Sequence, residues 1–141
     1  MKKICFRIIA LLALTFAGSS SLKAQTATNC EEGKAALENI MTRTSIRKYT
    51  DESVAKSDIE TMLRAGMAAP TAVNKQPWHF VVVTDKDKLS ELAGRRSMIK
   101  QAPLAIVICG DLDKALQGKG QAYWIQDCSA ATENLLLAAH A

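Results

Sequence analysis

Two stretches of this chain gather side chains suited to holding an anion or a polar ring. In Arg43-Thr44-Ser45-Ile46-Arg47, two guanidinium groups stand four residues apart with hydroxyls between them. A guanidinium is a planar fork of N–H donors that matches phosphate oxygens and stays charged at any working pH, so the cluster suits a phosphate-bearing ligand. On a helical turn Arg43 and Arg47 would share a face. Taken alone, the same residues also describe a solvated basic turn. The second stretch is Ala69-Pro70-Thr71-Ala72-Val73-Asn74-Lys75-Gln76-Pro77-Trp78. Two prolines stiffen it, and Thr71, Asn74 and Gln76 load it with hydrogen-bonding groups just ahead of an apolar run. Such loops beside a sheet are typical ligand-binding edges. Trp78 and Phe80 read more simply as core anchors.

Other chemistries have little support in the sequence. His79 and His140 are far apart, without HExxH spacing, and no CxxC pair occurs, so no metal site is expected. Gly118-Lys119-Gly120 lacks the third glycine and the preceding strand of a dinucleotide fingerprint. Cys109 ends an apolar run and Cys128 lies on an apolar helical face, so both are expected as buried thiols. No side chain is singled out as catalytic.

The elements that must position these groups follow from the hydrophobic periods. Residues 31–41 read as a helix with Ala35, Leu37, Ile40 and Met41 on its apolar side. Ser57-Asp58-Ile59-Glu60 has the form of a capping box, and the helix it opens carries Ile59, Met62, Leu63 and Met67 before Pro70 stops it. Residues 71–78 must be a loop. Two short apolar runs, 80–84 and 104–109, read as strands covered on both faces, with a brief helix at Leu89 and Leu92 between them. Residues 110–120 form a loop. The last helix, 121–141, would turn Ile125, Cys128, Thr132, Leu135, Leu136 and Ala139 inward.

Lys2, Lys3 and Arg7 precede the apolar run of residues 8–17, followed by serines and a small residue at Ala24. That order is a secretory signal, with cleavage expected after Ala24 and a domain from residue 25 onward. The run is half of the roughly 20 residues a spanning helix needs, so no stable membrane insertion is expected after cleavage. Export, to a bacterial periplasm, leaves Cys30, Cys109 and Cys128 in the mature chain once Cys5 is removed. The formal charge of +4 has the same origin, because Lys23 and the three early cations are its whole excess. The remainder, with 14 basic and 14 acidic side chains, has no footprint for a phosphate backbone, so nucleic acid is not an expected partner. The final helix meets the last residue without a cap, and two strands make a sheet with raw edges. The chain is therefore expected to be the front part of a longer domain.

Arg43-x-Ser45-x-Arg47, then Ala69-Pro70-Thr71-x-x-Asn74-x-Gln76-Pro77-Trp78-x-Phe80, then Trp124-x-x-Asp127 with Ala130, Glu133 and Asn134 resemble the FMN-dependent nitroreductase family, in that family's order. The resemblance implies an α+β fold whose central, mostly antiparallel sheet is flanked by helices, here incomplete at the C-terminus. It also implies a homodimer with FMN at the interface. Carried over, Arg43 would contact the FMN phosphate with Thr44 and Ser45 beside it, and Arg47 would lie towards the N1/O2 edge of the ring. Pro70, Thr71, Ala72 and Asn74 would reach the isoalloxazine of the partner subunit's flavin, with Gln76 close behind. Trp124, Asp127, Glu133 and Asn134 match the family but are expected to serve packing.

The implied activity is ping-pong hydride transfer from NAD(P)H through FMN to a small electron-poor acceptor, such as a nitroaromatic or a quinone. Two alternatives stand beside it. One is a flavoenzyme of the same fold with other chemistry, such as dehalogenation or ring oxidation. The other is a truncated, non-catalytic chain that binds flavin or only packs.

Overall fold

The computed structural model describes residues 33–141. The expected signal segment, Cys5, Cys30 and the start of the first helix lie outside the described residues. The chain divides into two units, Met1–Ala36 and Leu37–Ala141. Of the first, residues 33–36 are described, and they are helical.

The second unit opens with helical residues 37–42, followed by an irregular segment, 43–50. Helix α1, Lys56–Met67, leads into a short 3-10 turn, Ala72–Asn74, and then strand β1, Trp78–Val83. Helices α2, Lys86–Ala93, and α3, Ser97–Gln101, connect to strand β2, Ala105–Gly110. Helix α4, Tyr123–His140, completes the unit. The strands pair antiparallel, from Trp78 opposite Gly110 to Val83 opposite Ala105. This is the expected α+β arrangement, an antiparallel sheet flanked by helices.

Helices α1 and α4 pack against one another, and α4 also packs on both strands. Their meeting point is Gly66, the buried residue of α1, where a Cβ would stand 3.0 Å from the Phe80 ring and 3.1 Å from Leu135. Phe80 stacks at a tilt on Trp78, with ring centroids 5.1 Å apart. Alternation along β1 then turns His79 and Val81 to the other face. Helix α2 begins where Asp85 accepts the backbone N–H of Lys88 at 2.9 Å, and it buries Leu89 completely.

Several expectations need correction. The capping box does not form: α1 starts two residues earlier than a Ser57 cap would place it, at Lys56 after Ala55, and Ser57 donates to Asp58 instead of capping. The strands are covered on one face, not both, since Val81 is 48% exposed among the described residues. Cys109 is exposed for the same reason: it stands opposite His79, on the face turned away from Phe80. Cys128 is half-buried. Helix α4 is also rotated from its expected facing. Its buried residues are Asp127, Ala131 and Leu135, while Ile125 and Leu136 are exposed. Hydrophobicity favoured the isoleucine, but packing against Gly66 and Gly110 selects the stripe with the small residue and the carboxylate.

Candidate functional site

The loop from Pro70 to Pro77 is tightly constrained. Thr71 is extended (φ −135°, ψ 156°), and the turn after it is closed by Asn74 N–H on Thr71 O at 3.0 Å and Lys75 N–H on Ala72 O at 3.1 Å. The Thr71 hydroxyl accepts the N–H of Gln76 at 3.0 Å, folding the loop back on itself. Three non-glycine residues of the loop have left-handed backbones: Val73 (φ 45°), Asn74 (φ 57°) and Gln76 (φ 50°). Asn tolerates that region, but a β-branched valine there is strained. Such strain costs roughly 1–3 kcal/mol per residue and persists only where the surroundings over-determine it.

Two anchors lie outside the loop. Ala72 N–H donates to Asp127 Oδ1 on α4 at 2.8 Å, and Pro77 O accepts the N–H of Asp111 at 2.6 Å. Pro77 itself is fully buried. The other oxygen of Asp127, Oδ2, is buried without a partner, as is the indole Nε1 of Trp78. Beside Asp127, the Cys128 thiol is pushed up from its ordinary pKa, first by burial and then by the neighbouring carboxylate.

The arginine cluster is built differently. Residues 43–50 have no regular structure, so Arg43 and Arg47 do not share a helical face. Arg43 Nε pairs with Glu133 Oε1 on α4 at 3.3 Å, and that carboxylate is 54% exposed. Arg47 donates to Ser45 O at 3.3 Å. Thr44, Ser45 and Arg47 are exposed. Both guanidinium groups therefore have weak, solvent-facing partners, which a phosphate could replace at little cost.

Helix α4 organises both clusters. Asp127 and Glu133 are six residues apart, about 9 Å along the axis and roughly a third of a turn around it. The nine expected residues therefore form two groups at separate places on one chain: Arg43, Thr44, Ser45 and Arg47 in one, and Pro70, Thr71, Ala72, Asn74 and Gln76 in the other. An apolar groove of about 430 Å³, lined by Met62, Ile106, Ile108, Leu135 and Leu136 among others, includes none of them. Asp127 and Glu133 were expected only to pack, and both instead hold a candidate residue. A signal was present for Asp127, because a carboxylate four residues before Ala131 and eight before Leu135 lies in a buried stripe and demands a donor. No metal-binding group of three or more His, Cys, Asp or Glu exists among the described residues.

The family model for the nitroreductase family matches residues 40–95, which contain both clusters. The chain belongs to the nitroreductase family. It is 49% identical over 106 residues to a protein of Archaeoglobus fulgidus provisionally named NADH dehydrogenase/NAD(P)H nitroreductase, covering 73% of this chain and 60% of that protein. Among solved structures, a provisionally named NADH dehydrogenase/NAD(P)H nitroreductase from Parabacteroides distasonis matches with a TM-score of 0.69 and 44% identity, over 75% of this chain and 62% of that one. A provisionally named nitroreductase from Desulfovibrio desulfuricans, solved in complex with FMN, matches with a TM-score of 0.67 and 33% identity, over 74% and 62% of the two chains. The nitroreductase fold is thus shared, and the chain spans about three fifths of the length of these relatives.

Proposed function

We propose that the protein is an FMN-dependent oxidoreductase of nitroreductase type, with NAD(P)H as electron donor and a small electron-poor acceptor, a nitroaromatic or a quinone. The observation that carries the reading is the strained loop 71–76, held left-handed at three non-glycine residues within the segment matched to the family. FMN, when bound, would supply the two-electron chemistry that links donor and acceptor.

The donor set fits such a group. Arg43, with Thr44 and Ser45 beside it, would hold the phosphate once Glu133 yields its place. Arg47, held by Ser45 O, would supply a fixed positive charge at the ring edge where reduction gathers negative charge. Pro70, Thr71, Ala72, Asn74 and Gln76 would present a stiff backbone edge to the ring. The separation of the two clusters along α4 supports a homodimer in which each flavin lies between the arginine cluster of one subunit and the loop of the other. The order of residues 2–24 supports export to a periplasm.

The experiment is a titration of the purified full-length protein with FMN, followed by steady-state NAD(P)H oxidation with a nitroaromatic and with a quinone. Stoichiometric flavin and acceptor-dependent turnover are expected. A protein that takes up no flavin would end this reading.

A further inference from the structure

We infer that Asp127 is a positioning residue for the 70–77 loop, a buried carboxylate on α4 that holds the Ala72 N–H and, through it, the left-handed backbone of Val73, Asn74 and Gln76. Only the consequence for flavin affinity rests on the function proposed above; the control of loop geometry stands by itself.

Asp127 is 5% exposed and sits in the stripe that packs α4 inward, between Trp124 and Ala131. Burying a carboxylate is unfavourable unless it is hydrogen-bonded, and here one oxygen is used while Oδ2 is buried without a partner. An apolar residue of similar shape would pack this stripe at least as well. What the carboxylate adds is an acceptor at the N-terminus of the Ala72–Asn74 turn. That turn has no cap of its own, because the Thr71 hydroxyl is occupied by Gln76 N–H. Asp127 therefore caps it from a distant helix.

The strain explains why the cap matters. Val73 is 74% exposed, so its side chain does not hold its own backbone at φ 45°. The bonds among Thr71, Ala72, Asn74, Lys75 and Gln76 are internal and fold the loop without orienting it. The Pro77–Asp111 bond fixes the exit, and the Ala72–Asp127 bond fixes the entry. With the entry released, the three residues can relax to negative φ, and the edge offered to a ligand changes shape.

The test uses the full-length protein with Asp127→Ala, Asp127→Asn, Ala72→Pro and the double variant Asp127→Ala/Ala72→Pro. Asn134→Ala is the control, since Asn134 ties the same helix to Ala65 O of α1 at 3.0 Å and not to the loop. Amide hydrogen exchange at 73–76 is read without flavin, FMN affinity by fluorescence titration, and Tm for each variant. Asp127→Ala should speed loop exchange and weaken FMN binding by about tenfold each, the scale of one hydrogen bond to a charged group. Asp127→Asn keeps an acceptor and should restore both readouts. Ala72→Pro deletes the donor while leaving α4 intact, and the extended Thr71 accepts a following proline. It should match Asp127→Ala, and the double variant should be no worse than either. Asn134→Ala should lower Tm with loop exchange and FMN affinity unchanged.

A fall in Tm for Asp127→Ala with wild-type loop exchange and FMN affinity would overturn the proposal and leave a packing role. If Asp127→Ala does not fold, Ala72→Pro decides in the same way. A wild-type protein that binds no FMN would sink the flavin reading, while loop exchange would still judge Asp127.

Discussion

At the scale of single residues, the carboxyl of Asp111 shows how one side chain serves several neighbours. Oδ2 meets His79 Nε2 at 3.1 Å, and Oδ1 accepts the N–H groups of Asp113 and Lys114 at 3.0 and 3.2 Å. The His79 contact first, and then the backbone donors, hold its pKa below the ordinary value. A folded-state pKa that is depressed makes a contribution to stability that is fully present above the unfolded value and lost as pH falls through the folded one. Denaturation at neutral pH and in acid should therefore show a larger loss for the wild type than for Asp111→Asn. In His79→Ala, NMR titration should find the Asp111 carboxyl moved back towards its ordinary value. Arg47 gives a prediction for the proposed cofactor. Because it meets the exposed Ser45 O and, among the described residues, no carboxylate, Arg47→Ala should leave Tm nearly unchanged while weakening FMN binding by about tenfold, the loss of a charge-assisted contact. Unchanged flavin affinity in that variant would remove Arg47 from the site.

At the scale of elements, the sheet and α4 meet through glycine. Gly110 closes the register opposite Trp78, and a Cβ there would stand 2.8 Å from Cζ3 of Trp124 and closer still to Cε3. Gly110→Ala must displace that ring, and overpacking of this kind costs about 1–3 kcal/mol. Urea denaturation measures it, and a wild-type midpoint would show that the indole swings aside freely. Displacing Trp124 also disturbs the turn of α4 that carries Asp127, so loop exchange at 73–76 should rise in the same variant. The positions of these elements were largely legible: β-branched runs marked both strands, and Pro70 and Pro77 bounded the loop. The facing of α4 was not legible, because a helix with Ile125, Leu135 and Leu136 offers more than one apolar side. Gly66 and Gly110 decide between them by allowing close approach only to one.

At the scale of the whole molecule, the nine candidate residues form two groups held by one helix at different heights. Under the proposed function a complete flavin site then draws on two chains. Native mass spectrometry of the protein from its own source should find a dimer carrying two FMN, with each chain beginning at Gln25. A monomer with flavin bound would show that the two clusters do not meet across subunits. A chain that still carries residues 1–24 would remove the signal reading and leave the flavin reading intact.

The sequence by itself determined the types and order of the functional groups: two arginines around hydroxyls, a proline-bounded polar loop, two β-branched strands and a long final helix. These are local properties, set by side-chain chemistry and by hydrophobic period within a dozen residues. Only the tertiary structure decided that the carboxylate of Asp127 meets the N–H of Ala72, that Glu133 holds Arg43, and that Cys109 faces outward opposite His79. Each of those contacts joins residues that are distant in sequence. Each depends on strand register or helix facing, which close packing of the assembled elements selects and no local period encodes.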